Sequence, residues 1–263
     1  MLEMKNLSRA YYIKDKGQKV KFQALEKFTL SVSDGEFVVI VGPSGCGKST
    51  LLDILSGLYK SDTGSFNIDG AAVTGPALDR GFVMQNYALF PWRTIKKNIE
   101  FGLELKKIPK DERSQISKNF INLVGLSGFE NRYPYELSGG MKQRVAIARA
   151  LAYNPSVLLM DEPFAAVDAQ TREHMQDELT RIWQSTQKTI IFITHSIEEA
   201  VLLADRVVVM TEHPGTIKEI INIDLPRPRN SALVRNSAEY AGAVSEIWNL
   251  LHSADASLDS SAL

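Results

Sequence analysis

The chain has 263 residues, with 30 Lys plus Arg against 31 Asp plus Glu and a formal net charge of −1. At about 150 residues per domain this is one large domain or two closely joined ones, and the even charge balance argues against a protein whose main task is neutralising nucleic-acid phosphates. The single cysteine, Cys46, excludes an internal disulfide or a cysteine-built zinc site, and no apolar run exceeds the five residues of Phe37 to Val41, far too few to span a bilayer.

No charged-then-apolar leader follows Met1, so no signal peptide is expected and the chain reads as a cytosolic globular protein. Leu2 to Leu7 alternates weakly, Lys14 to Lys19 has the charge and glycine of a hairpin turn, and Val20 to Val32 resumes an extended pattern. Asp34-Gly35 turns the chain into Phe37 to Val41, apolar at every position as in a strand buried on both faces. A glycine-rich loop and a helix through about Gly57 follow. Ser61 to Gly64 is a turn into Ser65 to Asp69, and Arg80 to Gln85 is another strand.

From Thr94 to about Ala152 the period becomes helical, with helices expected over Ile95–Leu105, Ser114–Val124 and Met141–Ala152 and breakers at Gly125, Gly128 and Pro134. Val157–Met160 and Thr189–Thr194 are short buried strands. The helix between them begins at Asp168 as N-cap and carries Met175, Leu179 and Ile182 on one face. Arg206–Met210 and Ile217–Ile223 read as antiparallel strands around the Glu212 to Gly215 turn. Leu225 to Arg229 is extended, and a last helix carries Tyr240, Val244, Ile247 and Leu251. The Ser/Ala/Asp-rich tail, 253–263, is expected to be disordered.

Gly42, Pro43, Ser44, Gly45, Cys46, Gly47, Lys48, Ser49 and Thr50 follow a buried strand and open a helix, which is the context a phosphate-binding loop requires. Glycines let successive backbone N–H groups turn inward as a nest for phosphate oxygens, and the helix adds its positive N-terminal dipole. Lys48 can reach the terminal phosphates and the Ser49 hydroxyl can ligate Mg²⁺. Cys46 reads as a small residue whose backbone matters rather than as a redox switch.

Val157 to Met160 delivers two carboxylates, Asp161 and Glu162, at a strand's C-terminal end, where parallel sheets hold their ligands. Asp161 suits Mg²⁺, Glu162 suits an attacking water, and His195 arrives at the same edge from another strand. Each alone reads more simply as structural, and the phosphate loop is what gives them chemistry. Leu137 to Gln143 decides the matter: Ser138 N-caps a helix and Gly139 and Gly140 leave N–H groups open at its start, a second anion site. One nucleotide does not need two phosphate cradles in one subunit, whereas two chains arranged head-to-tail would complete each other's sites.

Over residues 1 to about 230 the chain resembles the ATP-binding subunits of ABC transporters. Walker A is Gly42 to Thr50, the Q-loop Val83-Met84-Gln85, the signature Leu137 to Gln143, Walker B Val157 to Asp161 followed by Glu162, the D-loop Ala166-Val167-Asp168 and the switch His195. The resemblance implies an α/β fold: a P-loop NTPase (RecA-like) core over about 1–90 and 153–230, an N-terminal antiparallel β subdomain, a helical signature subdomain over about 91–152 and a C-terminal helix over about 231–252. It implies ATP and Mg²⁺ as ligands and a sandwich dimer. In it Tyr11 (or its neighbour Tyr12) stacks on adenine, and the phosphate loop, Gln85, Asp161, Glu162 and His195 face Ser138, Gly139 and Gly140 of a second ATP-binding subunit, identical or homologous. Gln85 would contact Mg²⁺ and the water, and Asp168 would link the two sites. Ala165 stands where many relatives have a serine, which loses a hydroxyl in the D-loop.

Phe90-Pro91-Trp92-Arg93, Glu212 to Gly215 and Leu225 to Arg229 resemble one import branch, which serves nitrate, bicarbonate, aliphatic sulfonates and taurine. That implies a translocating ATPase peripheral to the cytoplasmic face of the inner membrane, transmembrane permease subunits docking near Gln85–Trp92, a solute-binding protein in the same system and no nucleic acid. A C-terminal regulatory or solute-binding domain is not expected. The single cassette argues against a ribosome-acting relative, the lack of a long heptad insertion between Gly57 and Leu137 against a DNA-repair ATPase, and the signature against a P-loop kinase or GTPase.

Overall fold

The computed structural model describes residues 1–15, 18–165, 167–229 and 231–253. Along the chain run β1 (Leu2–Asp15), β2 (Gln18–Val32), β3 (Phe37–Val41), α1 (Lys48–Ser56), β4 (Thr63–Ile68), β5 (Ala71–Ala72) and β6 (Arg80–Val83). The helical stretch follows with α2 (Ile95–Leu105), α3 (Lys110–Leu123), a 3₁₀ turn at Pro134–Glu136 and α4 (Gly139–Ala152). Then come β7 (Val157–Asp161), α5 (Ala169–Thr186), β8 (Thr189–Ile193), α6 (Ile197–Leu203), β9 (Arg206–Met210), β10 (Ile217–Asn222), α7 (Ser231–Val234) and α8 (Ala238–His252).

The chain divides into two units, Met1–Pro76 with Thr189–Leu263, and Ala77–Lys188. In the first, an antiparallel sheet runs β2-β1-β4-β5. β1 and β2 pair from Leu2 with Val32 to Asp15 with Gln18. The expected hairpin tip therefore falls at 16–17, outside the described residues. β1 is longer than the Leu2 to Leu7 stretch read from the sequence. Register shifts between Met4 and Ala10 break its alternation, so the pattern fades while the pairing continues.

The same unit holds β3 with parallel neighbours β8 and β9, and β10 antiparallel to β9. Every residue of β3 and β8 is buried, and this is why both read as unbroken apolar runs. α1 buries Leu51, Leu52 and Leu55, α6 packs on β3, and α8 packs on α6, β9 and β10 and buries Tyr240 and Ile247. α6 leaves no periodic signal in the sequence, since its seven residues are fewer than two periods of an amphipathic pattern.

In the second unit β6 and β7 pair in parallel, Arg80 with Val157 through Val83 with Met160. α4 packs against α2, α3, α5 and β6. The helical segment 91–152 lies within this unit, which also takes in β6, β7 and α5. α3 begins at Lys110, four residues ahead of the Ser114 read from the sequence, because Pro109 supplies an extended N-cap and Asp111 and Glu112 suit the helix's positive end. Asp168 does N-cap α5, accepting from the Thr171 N–H at 3.0 Å. Ala166 of the D-loop and the tail from residue 254 lie outside the described residues.

Candidate functional site

In the first unit the phosphate loop leaves β3 and ends in α1. Gly45 and Gly47 take φ of +80° and +97°, the left-handed region that a side chain disfavours. Gly42 is needed for room: a Cβ there would lie 2.7 Å from Cys46 Sγ and 3.0 Å from Met210 Cβ. α1 is N-capped by Gly47, which offers no side-chain cap, so the N–H groups of its first turn keep their capacity for an anion. Lys48 lies along the loop, its Nζ donating to the Gly42 and Pro43 carbonyls at 2.7 and 2.9 Å. Ser44, Gly45 and Ser49 are exposed on this surface, and Pro43 and Thr50 are half-buried. The Cys46 thiol is buried against Lys48, and burial pushes its pKa up, which makes it packing rather than a reactive group.

His195 follows β8, the parallel neighbour of β3, so it emerges at the same strand edge as the phosphate loop. Its flanks are locked. Thr194 Oγ1 donates to buried Glu199 at 2.6 Å and accepts from the Ser196 N–H at 3.0 Å, while Ser196 Oγ caps the Glu199 N–H. The imidazole is exposed on this fixed turn. Tyr11 pairs with Phe22 across β1 and β2, so the two rings share a sheet face. Phe22 touches His213, whose ring lies beside Gly45, so that face is the one toward the phosphate loop. Tyr12 points to the opposite face under the Lys19 ammonium.

In the second unit Gln85 leaves β6 and Asp161 ends β7, at the same edge of a parallel pair. Glu162 turns with φ of +41°, a strained backbone for a non-glycine residue directly after the strand. Ser138 N-caps α4 by accepting from the Met141 N–H at 3.3 Å and is exposed, while Leu137, Gly140 and Gln143 are buried. The signature therefore presents Ser138 and half-buried Gly139, with α4's first turn behind them.

Sequence reasoning missed what holds this signature. A Cβ on Gly139 would meet Tyr87 Oη at 3.3 Å, and one on Gly140 would meet Thr171 Cγ2 at 3.0 Å. The Q-loop side and the start of α5 thus close on the two glycines. Arg149 of α4 donates to the Tyr87 and Ala88 carbonyls at 2.9 and 2.6 Å, and both those residues take positive φ, +63° and +45°. The signal was an arginine inside an apolar helical run, Val145 to Ala152. Phe90 packs on Phe101 with ring centroids 4.7 Å apart, but Trp92 is 73% exposed.

The family model described as ABC transporter matches residues 25–165, more than half the chain. The chain belongs to the ABC transporter family. ABC ATP-binding proteins hydrolyse ATP to drive transport, and this chain is an ATPase of that kind. It is 54% identical to an ABC transporter ATP-binding protein of Methanocaldococcus jannaschii, over 95% of this chain and 91% of that one. The nitrate import ATP-binding protein NrtD of Synechocystis is 47% identical over 95% and 94% of the two chains. The aliphatic sulfonates import ATP-binding protein SsuB of Bacillus thuringiensis is 49% identical over 79% and 82%. Among solved structures, a dimeric ATP-binding cassette in a post-hydrolysis state with ADP and Pi matches with TM-score 0.73 and 32% identity, covering 86% of this chain and all of that one. Such ABC cassettes share the α/β, P-loop architecture described above.

Proposed function

We propose that this chain powers an importer for a small anion of the nitrate, bicarbonate, sulfonate or taurine class, hydrolysing ATP as a sandwich dimer of two ATP-binding subunits. The observation that carries the ATPase chemistry is the phosphate loop: left-handed glycines, an uncapped helix N-terminus and Lys48, with His195 on the adjoining strand. The import-protein names of its relatives support the solute class.

The reading assigns roles residue by residue. Tyr11 stacks on adenine, supported over Tyr12 by its shared face with Phe22. Gly42, Pro43, Ser44, Gly45, Cys46, Gly47, Lys48, Ser49 and Thr50 hold the phosphates. Ser49 and Asp161, with Gln85, would hold Mg²⁺: a hydroxyl, a carboxylate and an amide oxygen are the hard oxygen donors that ion takes. Mg²⁺ would neutralise charge on the phosphate oxygens. Glu162 accepts a proton from the attacking water as the water oxygen bonds the γ-phosphorus and the bond to the bridging oxygen of ADP breaks. His195 and Gln85 orient that water. Ser138, Gly139 and Gly140 of the second subunit face the phosphates through an N-terminal helix dipole, and Asp168 links the two sites.

Gln85 to Trp92 would meet the permease, and a solute-binding protein would complete the system at the inner membrane's cytoplasmic face. Among the described residues no helix is long and apolar enough to cross a membrane, in keeping with a peripheral subunit. The test is Glu162→Gln. Losing a general base lowers the rate by roughly 10² to 10⁴. The variant is expected to bind MgATP, stall and run as a dimer on size exclusion. A monomer at saturating MgATP would overturn the sandwich.

A further inference from the structure

Backbone meets backbone beside the phosphate loop. The Gly215 N–H donates to the Ala24 carbonyl at 3.1 Å, and the Glu26 N–H donates to the Gly215 carbonyl at 3.0 Å. A Cβ on Gly215 would lie 2.0 Å from the Cys46 carbonyl oxygen, and one on Gly47 would lie 2.5 Å from the Ala24 carbonyl oxygen. No side chain fits at either glycine, so the turn between β9 and β10 is built into the wall of the loop. Thr211 locks that turn: its hydroxyl donates to the Pro214 carbonyl at 2.8 Å and accepts from the Thr216 N–H at 2.9 Å.

The braced turn delivers His213 to the rim. Its ring stands edge-on to Phe22, centroids 5.1 Å apart. Nε2 reaches within 3.5 Å of the place a Cβ on Gly45 would occupy, and the side chain is exposed there. Gly45 is one of the two left-handed residues that shape the phosphate nest. An imidazole with a polar nitrogen therefore stands beside that nest, and nothing in the hydrolytic scheme uses it.

We propose that His213 is a further nucleotide-contacting residue, its Nε2–H donating to an oxygen of the phosphate chain. The inference rests on the ATP-site reading above, and in it the turn at Glu212–Gly215 forms part of the nucleotide site rather than a plain hairpin. A hydrogen bond from a side-chain N–H to a phosphate oxygen is charge-assisted.

Isothermal titration of the purified chain with MgATP and with MgADP tests it, using His213→Ala, His213→Phe and His213→Gln. Loss of such a bond is expected to raise Kd about tenfold for both nucleotides in the Ala variant. Phe keeps the ring against Phe22 but has no donor, so it is expected to bind as weakly as Ala. Gln keeps a donor and is expected to recover most of the affinity. A purely structural ring would give the reverse order. Restoration by Phe and not Gln, or an Ala variant with Kd within about twofold of the parent, overturns the proposal; if the Ala variant fails to fold, the Phe and Gln variants decide. A parent chain that binds neither nucleotide would take down the ATP reading itself, whereas normal parent binding with indifferent variants takes down only the role of His213.

Discussion

Arg149 shows how one side chain sets the shape of a functional loop. Two consecutive residues after the Q-loop, Tyr87 and Ala88, sit at positive φ, a strain of about 1–3 kcal/mol each. The guanidinium fork donates to both their carbonyls, and hydrogen bonds from a charged group contribute about 1.5–3 kcal/mol apiece. The two effects are of similar size, so the fork offsets the strain of the loop. Burial lowers the Arg149 pKa, but an arginine stays protonated at any physiological pH. Arg149→Lys, which cannot fork, is expected to lose about 2–3 kcal/mol in urea unfolding and to reduce ATPase activity; an unchanged unfolding midpoint would contradict this. Tyr153 gives a pH effect with a definite sign. Its phenol donates to the Arg80 carbonyl at 2.9 Å, and burial pushes its pKa from 10.0 up to about 12. The folded state therefore binds the phenolic proton more tightly than the unfolded chain does. Its contribution, about 2–3 kcal/mol, is complete below pH 10 and lost as pH rises toward 12. Tyr153→Phe is expected to flatten that alkaline loss in a stability-against-pH series.

At the scale of elements, two helical glycines should respond to alanine with opposite signs. Gly102 in α2 lies under the Tyr153 ring, and a Cβ there would come 2.1 Å from Cδ1 and 2.8 Å from Cγ. Gly242 in α8 is exposed and has nothing within 4 Å of the same position. Gly102→Ala is expected to destabilise by about 1–3 kcal/mol through overpacking. Gly242→Ala is expected to stabilise by up to about 1 kcal/mol through helix propensity. Thermal melts of the two variants check both, and melting shifts of the same sign would refute the packing account of α2. The elements themselves were legible wherever their pattern is local. β3 and β8 announce themselves as apolar runs because both faces are covered, and Ser138 and Asp168 announce α4 and α5 because an N-cap acts within three residues. The length of β1 was not legible, since bulges shift its period, and α6 was too short to show one.

For the whole molecule the issue is coupling between hydrolysis and the permease. Trp92 is among the most exposed large apolar side chains, while its neighbour Phe90 is fixed by Phe101 and by the Arg93 and Arg149 guanidinium groups above its ring. A held aromatic base with an exposed tip suits a partner helix better than an internal core. Trp92→Ala is accordingly expected to reduce transport in reconstituted vesicles far more than it reduces ATPase activity of the isolated subunit; equal loss of both would remove Trp92 from the docking surface. The family and the position of each motif came from sequence alone. Strand, glycine loop, helix and N-cap are written within a few residues of each other, and their chemistry follows from backbone geometry that short segments determine for themselves. Only the tertiary structure decided which face Tyr11 shares, that Arg149 holds Tyr87 and Ala88, and that Gly215 brings His213 to Gly45. Those contacts join segments far apart in the chain. They depend on which backbone can approach which without a Cβ between them, and no local pattern of residues encodes that approach.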